Sequence, residues 1–219
     1  MVIDNSIIIP IKNRSSLKFG NKFLTLFPNL VKSIIDTKQE SIEIIVIDFA
    51  STDTDYNWLR SYPVRSLIVT MHEAFNLGRG RNVGRTYAKG KRLFFLDADM
   101  SLPVGFFKAL IPIVDAGITV FPVYDILDVK GEVWRLGSGW GNVCLLAKTF
   151  DSLSISWPER TRYGGEDTAV ANVFVKENKG QYARIGVPGF VHQYHDKNPK
   201  ENDWYKKEEK VKCKKTQST

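Results

Sequence analysis

Four short, mostly apolar runs punctuate the first hundred positions, at 6–10, 42–48, 66–70 and 92–96, the first two rich in β-branched residues. Their length and composition predict buried strands. Between the first two runs, Leu24, Phe27, Leu30, Val31, Ile34 and Ile35 recur at helical spacing, and a second helix-like stretch from about Gly80 to Lys89 precedes the fourth run. Alternating strands and helices predict an α/β fold, a mixed but mainly parallel sheet flanked by helices. After residue 117 the pattern changes. Residues 118–124 and 141–146 read as further strands, the latter entered through Gly137-Ser138-Gly139-Trp140-Gly141. Residues 166–177 read as a helix and 182–187 as a last strand leading into 190–195.

Sheets of this kind bind ligands beyond the carboxyl ends of their strands. The polar residues that follow the runs are Lys12-Asn13-Arg14, the segment from Asp48 to Asp53, and Asp97-Ala98-Asp99. Two Asp-x-Asp triplets occur among fourteen aspartates, so position has to separate them. Asp53-Thr54-Asp55 lies among Ser51 and Thr52, where a turn or cap explains Asp55. Asp97-Ala98-Asp99 follows Leu93-Phe94-Phe95-Leu96 without a spacer, so two carboxylates leave a hydrophobic strand together. Their repulsion is costly unless a cation or solvent offsets it, and Mg²⁺ or Mn²⁺ takes one or two carboxylates plus phosphate oxygens, so the triplet reads as a metal site ahead of a structural turn. His192 and His195 follow the last strand and are candidate metal ligands or phosphate contacts. Arg162-Tyr163-Gly164-Gly165-Glu166-Asp167 places paired acids after a glycine turn. They either cap a helix or supply a general base for an acceptor hydroxyl. The segment from Gly78 to Arg85 fits neither G-x-G-x-x-G nor a Walker loop, and its arginines either face solvent or contact a diphosphate.

Composition narrows the classes. The 219 residues are 43% hydrophobic and 25% charged, which suits one core rather than two. The expected layout is a single catalytic domain over 1–200 and a basic tail over 201–219. Residues 197–215 carry eight lysines against four acids, more than half of the formal charge of +7. Such a tail is either a solvated end or a weak contact for an anionic surface. Neither a signal peptide nor a membrane-length apolar run is visible, so a soluble, cytoplasmic chain is expected. Cys144 and Cys213 lack zinc-site spacing and read as free thiols.

Taken together, the motifs resemble GT-A glycosyltransferases, in particular the β-1,4-galactosyltransferase and chondroitin-polymerising type. Ile8-Ile9-Pro10-Ile11-Lys12-Asn13-Arg14 resembles that group's I-P-F-R-N-R, and Phe75-Asn76-Leu77 with Asn82-Val83-Gly84 its F-N-R…N-V-G. Phe94 to Asp99 is similar to its strand and D-x-D, Tyr163 to Asp167 to its W-G-G-E-D, and His192 to Asn198 to its H-x-R-D-K-x-N. The segment from Asp48 to Asp53 resembles the D-D-G-S-T-D of the wider family 2, with Phe49 in place of the second acid. The resemblance implies an inverting enzyme that moves a hexose or N-acetylhexosamine from a UDP-sugar to a glycan hydroxyl with Mn²⁺ or Mg²⁺. It implies donor contacts at Pro10, Lys12, Arg14, Asp48, Asp53, Asn82, Asp97 and Tyr163. Asp99 would bind the metal, Asp97 the metal or the ribose, and His192 or His195 would complete the site. Asp167 would be the base and Glu166 would orient the acceptor.

Two other readings remain open from the sequence. A sugar-nucleotidyltransferase also uses acidic metal sites, although no glycine-rich, lysine-bearing loop follows the first strand. A carbohydrate- or polyanion-binding module would use Trp134, Trp140, Trp157, Trp204 and the basic tail. No nucleic-acid partner is expected.

Overall fold

Seven consecutive buried residues make up β1 (Asn5–Ile11), a strand with no face to offer to water and therefore one that must be covered on both sides. The computed structural model describes residues 2–19, 22–137, 139–159 and 165–195. After β1 come the short pair β2 (Leu17–Phe19) and β3 (Lys22–Leu24) and then α1 (Leu26–Asp36), which buries Leu26, Phe27, Leu30, Val31 and Ile34 along one stripe. β4 (Ile42–Asp48) is buried throughout and pairs in parallel with β1, and β5 (Arg65–Thr70) extends the parallel set beyond β4. α2 (Leu77–Tyr87) returns the chain to β6 (Arg92–Phe95), parallel to β1 on its other edge.

The second half completes the sheet with mixed pairings. β7 (Met100–Ser101) and α3 (Phe106–Asp115) precede β8 (Thr119–Leu127), β9 (Val133–Gly137), β10 (Val143–Leu146) and α4 (Ala147–Ser152). α5 (Glu166–Val175) and β11 (Tyr182–His192) end the described chain. The sheet order is β5-β4-β1-β6-β10-β8-β11-β7, with β9 paired to β8. β10 is antiparallel to β6, whereas β11 runs parallel to β8. The fold class expected from the sequence is the one observed. β11 is longer than expected because the strand resumes after a register shift between Gly186 and Val191, which carries His192 into the sheet.

The glycines of α2 have a packing role. A Cβ on Gly84 would lie 2.3 Å from Ile8 Cγ2, one on Gly80 2.7 Å from Pro10 Cβ, and one on Gly78 2.3 Å from the Pro158 carbonyl oxygen. Gly80 and Gly84 thus let the helix lie directly on β1, and Gly78 lets it approach the backbone at Pro158. Gly84→Val should lower stability by roughly 1–3 kcal/mol, the usual range for overpacking, seen as a reduced thermal midpoint. An unchanged midpoint would mean that α2 can move away from β1. Among the described residues no helix is long and apolar enough to cross a membrane.

Candidate active site

The chain leaves the sheet at the end of β6. Leu96 still bonds the Ile8 carbonyl, and the next residues, Asp97 to Asp99, turn away from the strand at its carboxyl end. Asp97 is held from two directions. Its backbone N–H donates to Asn142 Oδ1 at 3.0 Å, and Arg81 Nη2 donates to its Oδ1 at 2.8 Å. Arg81 itself is fully buried. Burial pushes the Asp97 carboxyl above the ordinary carboxylate range, Arg81 opposes this, and the like charge of Asp99 adds to it.

Asp99 meets both histidines. His195 Nε2 lies 2.9 Å and His192 Nε2 3.5 Å from the same oxygen, Asp99 Oδ2. The three residues each offer a ligand atom, all within 4.8 Å of one another. Gln193, between the histidines, explains how the end of β11 reaches this position. Its N–H donates to the Asp99 carbonyl at 2.8 Å, and its side-chain amide donates to the carbonyls of Met100 and Leu26. Tyr124 stacks on His192 with a centroid separation of 6.2 Å, and the backbone of Gly137 lies so close to the tyrosine ring that a Cβ there would come within 2.2 Å of it. Burial would raise the Asp99 carboxyl, but His192 and His195 outweigh that and hold it well below the usual range. Burial likewise opposes a charged His192, and Asp99 and Asp97 more than reverse it.

This donor set fits a divalent ion. One carboxylate and two imidazoles converge, while Asp99 Oδ1 and His192 Nδ1 are buried without a hydrogen-bond partner among the described residues. Two nitrogens and one oxygen form a set softer than the all-oxygen shell that Mg²⁺ prefers.

The glycine-rich segment before β10 connects this group to the paired acids. Trp140 N–H donates to Asp167 Oδ2 at 3.3 Å, Gly141 lies against Asp97, and Asn142 receives the Asp97 N–H. One short segment therefore touches both carboxylates. Gly165, at φ 84°, makes the left-handed turn that starts α5, placing Glu166 and Asp167 in its first turn. Glu166 is buried, and Asp167 is partly exposed. The phenol of Tyr124 is pushed up to about 12, first by burial and then by the charges of Asp97, Asp99 and Asp167.

On the other side of β1 the loops after β1 and β4 interlock. Asp53 Oδ2 accepts from the N–H groups of Ser15 and Ser16 at 2.7 and 2.9 Å, and Asp48 accepts from Ser51 N–H. Lys12 Nζ donates to the Phe49 carbonyl at 2.6 Å, and Arg14 Nη1 to the Asn13 carbonyl at 3.3 Å. Asn13 and Ala50 adopt left-handed conformations with φ 51° and 52°, a strain that marks a shaped loop. Asp53 Oδ1 and Ser15 Oγ are buried without partners among the described residues. Phe49, standing where the wider family has an acid, is fully buried against Phe75 with centroids 5.2 Å apart.

Pro10 and Lys12 thus lie at the carboxyl end of β1, beside Asp48 and Asp53. Asn82 turns its amide to the Trp157 backbone, accepting from its N–H and donating to its carbonyl. Tyr163, Asp196, Lys197, Trp204, Cys213 and the basic tail lie outside the described residues. Trp157 is 1% exposed and belongs to the core, so it offers no surface to a glycan. From the sequence the arginines of α2 either face solvent or contact a diphosphate. Arg81 is buried and pairs with Asp97, a contact between positions 16 apart that no local pattern encodes.

The pattern of glycosyl transferase family 2 matches residues 6–171. Chondroitin sulfate N-acetylgalactosaminyltransferase 2 of Mus musculus is 28% identical over 180 residues, 70% of this chain and 31% of that protein. The crystal structure of S. aureus TarS 1-349 superposes with a TM-score of 0.68 at 15% identity, covering 87% of this chain and 60% of that one. The same TarS piece in complex with UDP-GlcNAc gives a TM-score of 0.68 at 14% identity, covering 90% and 60%. The chain therefore spans about a third of the mouse relative and 60% of the TarS piece.

Proposed function

Because the chain belongs to glycosyl transferase family 2, we propose that it transfers a hexose or N-acetylhexosamine from a UDP-sugar to a glycan hydroxyl, with inversion at the anomeric carbon. The observation that carries the reading is the convergence of Asp99, His192 and His195 at the carboxyl end of β6, with Asp167 joined to the same rim through Trp140. Among the structural neighbours, TarS has been solved with UDP-GlcNAc, which supports a UDP-sugar as the donor class.

The loops after β1 and β4, with Pro10, Lys12, Arg14, Asp48 and Asp53, take the nucleotide. Asp53 braces the loop after β1 through the N–H groups of Ser15 and Ser16, which supports a shaped nucleotide pocket there. Asp97 faces the sugar nucleotide, and Tyr163, which lies outside the described residues, is carried only as a donor contact implied by the family resemblance. Asp99, His192 and His195 would hold Mn²⁺ or Mg²⁺, which when bound supplies positive charge to the departing diphosphate. Asp167 takes the proton of the acceptor hydroxyl as that oxygen attacks the anomeric carbon. The bond from that carbon to the diphosphate oxygen breaks on the opposite face, and its electron pair leaves with UDP. Glu166, buried at the start of α5, orients the acceptor.

The imidazole-rich donor set favours Mn²⁺ over Mg²⁺. Titration calorimetry should find UDP binding at least tenfold tighter with Mn²⁺ than in chelator, with Mg²⁺ weaker than Mn²⁺. His192→Ala should remove most of the Mn²⁺ enhancement. UDP affinity that is indifferent to Mn²⁺ and to His192 would argue against this reading.

A further inference from the structure

A guanidinium with no surface in water is costly to place in a core unless it neutralises something there. Arg81 is such a group. It projects from α2 with 0% of its side chain exposed, and Nη2 donates to Asp97 Oδ1 at 2.8 Å. Its Cζ lies 5.6 Å from the centroid of the Trp157 ring, while Nε and Nη1 are buried without hydrogen-bond partners among the described residues. The surroundings are shaped to the pair. A Cβ on Gly141 would come within 3.0 Å of both Arg81 Nη2 and Asp97 Oδ2, and Asn142 fixes the Asp97 backbone from the next position.

We propose that Arg81 is a positioning residue that holds Asp97 in one orientation and cancels its charge, so that Asp97 faces the donor without competing with Asp99, His192 and His195 for the cation. One oxygen of Asp97 is already occupied by Arg81, and the rigid guanidinium fork under Trp157 prevents the carboxylate from swinging toward Asp99. The site then has a division of labour that two adjacent carboxylates would otherwise lack. This inference rests on the proposed function for the identity of the donor, but its test does not require turnover.

Arg81→Met keeps an unbranched stem beneath Trp157 and removes the charge. In titration calorimetry with Mn²⁺ alone, the variant should bind the ion about fivefold tighter than wild type, because an uncompensated carboxylate joins the site. In saturating Mn²⁺ the same variant should bind UDP about tenfold more weakly, because Asp97 has lost its orientation. Those opposite directions are not what general damage produces. Arg81→Met/Asp97→Asn should bind Mn²⁺ as Asp97→Asn alone does, and should recover the thermal midpoint lost in Arg81→Met. If Arg81→Met does not fold, the double variant should still fold.

Weaker binding of both Mn²⁺ and UDP in Arg81→Met would overturn the proposal. So would a double variant that melts as low as Arg81→Met or fails to fold, since Arg81 would then serve only the core. If wild type releases no UDP from any UDP-sugar, the proposed function fails, while the Mn²⁺ and melting measurements still decide the role of Arg81.

Discussion

Replacing Asp99 with alanine is expected to abolish divalent-ion-dependent transfer, lowering kcat/KM by about 10³-fold or more, equivalent to about 4 kcal/mol of transition-state stabilisation. The reason is the convergence at one atom. Both imidazoles approach Asp99 Oδ2, and Asp99 Oδ1 has no other partner among the described residues. Without the carboxylate, two imidazoles remain beside each other with no anion between them, and cation affinity drops. Asp99 is 16% exposed and contributes hydrogen bonds as well as charge, so Asp99→Asn is the control that keeps the shape. Rates measured with Mn²⁺ and in chelator should be equal in Asp99→Ala and widely separated in wild type. Full Mn²⁺-dependent activity in Asp99→Ala would remove this residue from the site.

Asp167→Asn should separate binding from chemistry. The side chain sits in the first turn of α5, where its oxygens accept from Trp140 N–H and Thr168 N–H. An amide oxygen can keep one of those bonds, and among the described residues they run to Trp140 and Thr168 and not to the loops after β1 and β4, so Mn²⁺ and UDP should bind nearly as in wild type. Proton removal from the acceptor is what the amide cannot do. The expected loss in kcat is roughly 10² to 10⁴-fold, the usual worth of a general base. Circular dichroism should be unchanged, because the helix still begins with Gly165 in its left-handed turn. An unchanged kcat would place the base elsewhere, with Glu166 as the first alternative to replace.

Much of this arrangement is legible in the amino-acid sequence because it rests on local chemistry. The runs at β1 and β4 are short, β-branched and mostly apolar, as suits doubly covered parallel strands, and the two pair in parallel across seven positions. Asp97-Ala98-Asp99 stood out through its place directly after a buried strand, and the two histidines through their place after the last one. What stayed hidden depends on contacts distant in sequence. Gln193 is an ordinary polar residue between two histidines, yet its bonds to Asp99, Met100 and Leu26 bring those histidines to the carboxylate. Asn142 reaches Asp97 across 45 positions, and Arg81 is hidden in a motif whose neighbour Arg79 does pair at the surface with Glu73 and Glu159.

The missed elements have local reasons too. α3 contains Pro112, which interrupts a helical reading even though Phe106, Phe107, Leu110 and Val114 are spaced to bury one face. β9 exposes Val133, Trp134 and Leu136 together, so it lacks the alternation that identifies a half-buried strand. Composition alone cannot tell a buried tryptophan such as Trp157 from an exposed one. Its position between Phe95 and Phe150 settles which it is.

The most direct test is UDP release from a panel of UDP-sugars, measured with glycan acceptors in Mn²⁺ and again in chelator. One hexose or N-acetylhexosamine donor should release UDP in step with product of inverted anomeric configuration, and chelator should stop the release. Release that continues undiminished in chelator, or pyrophosphate formed in place of UDP, would contradict the proposed function.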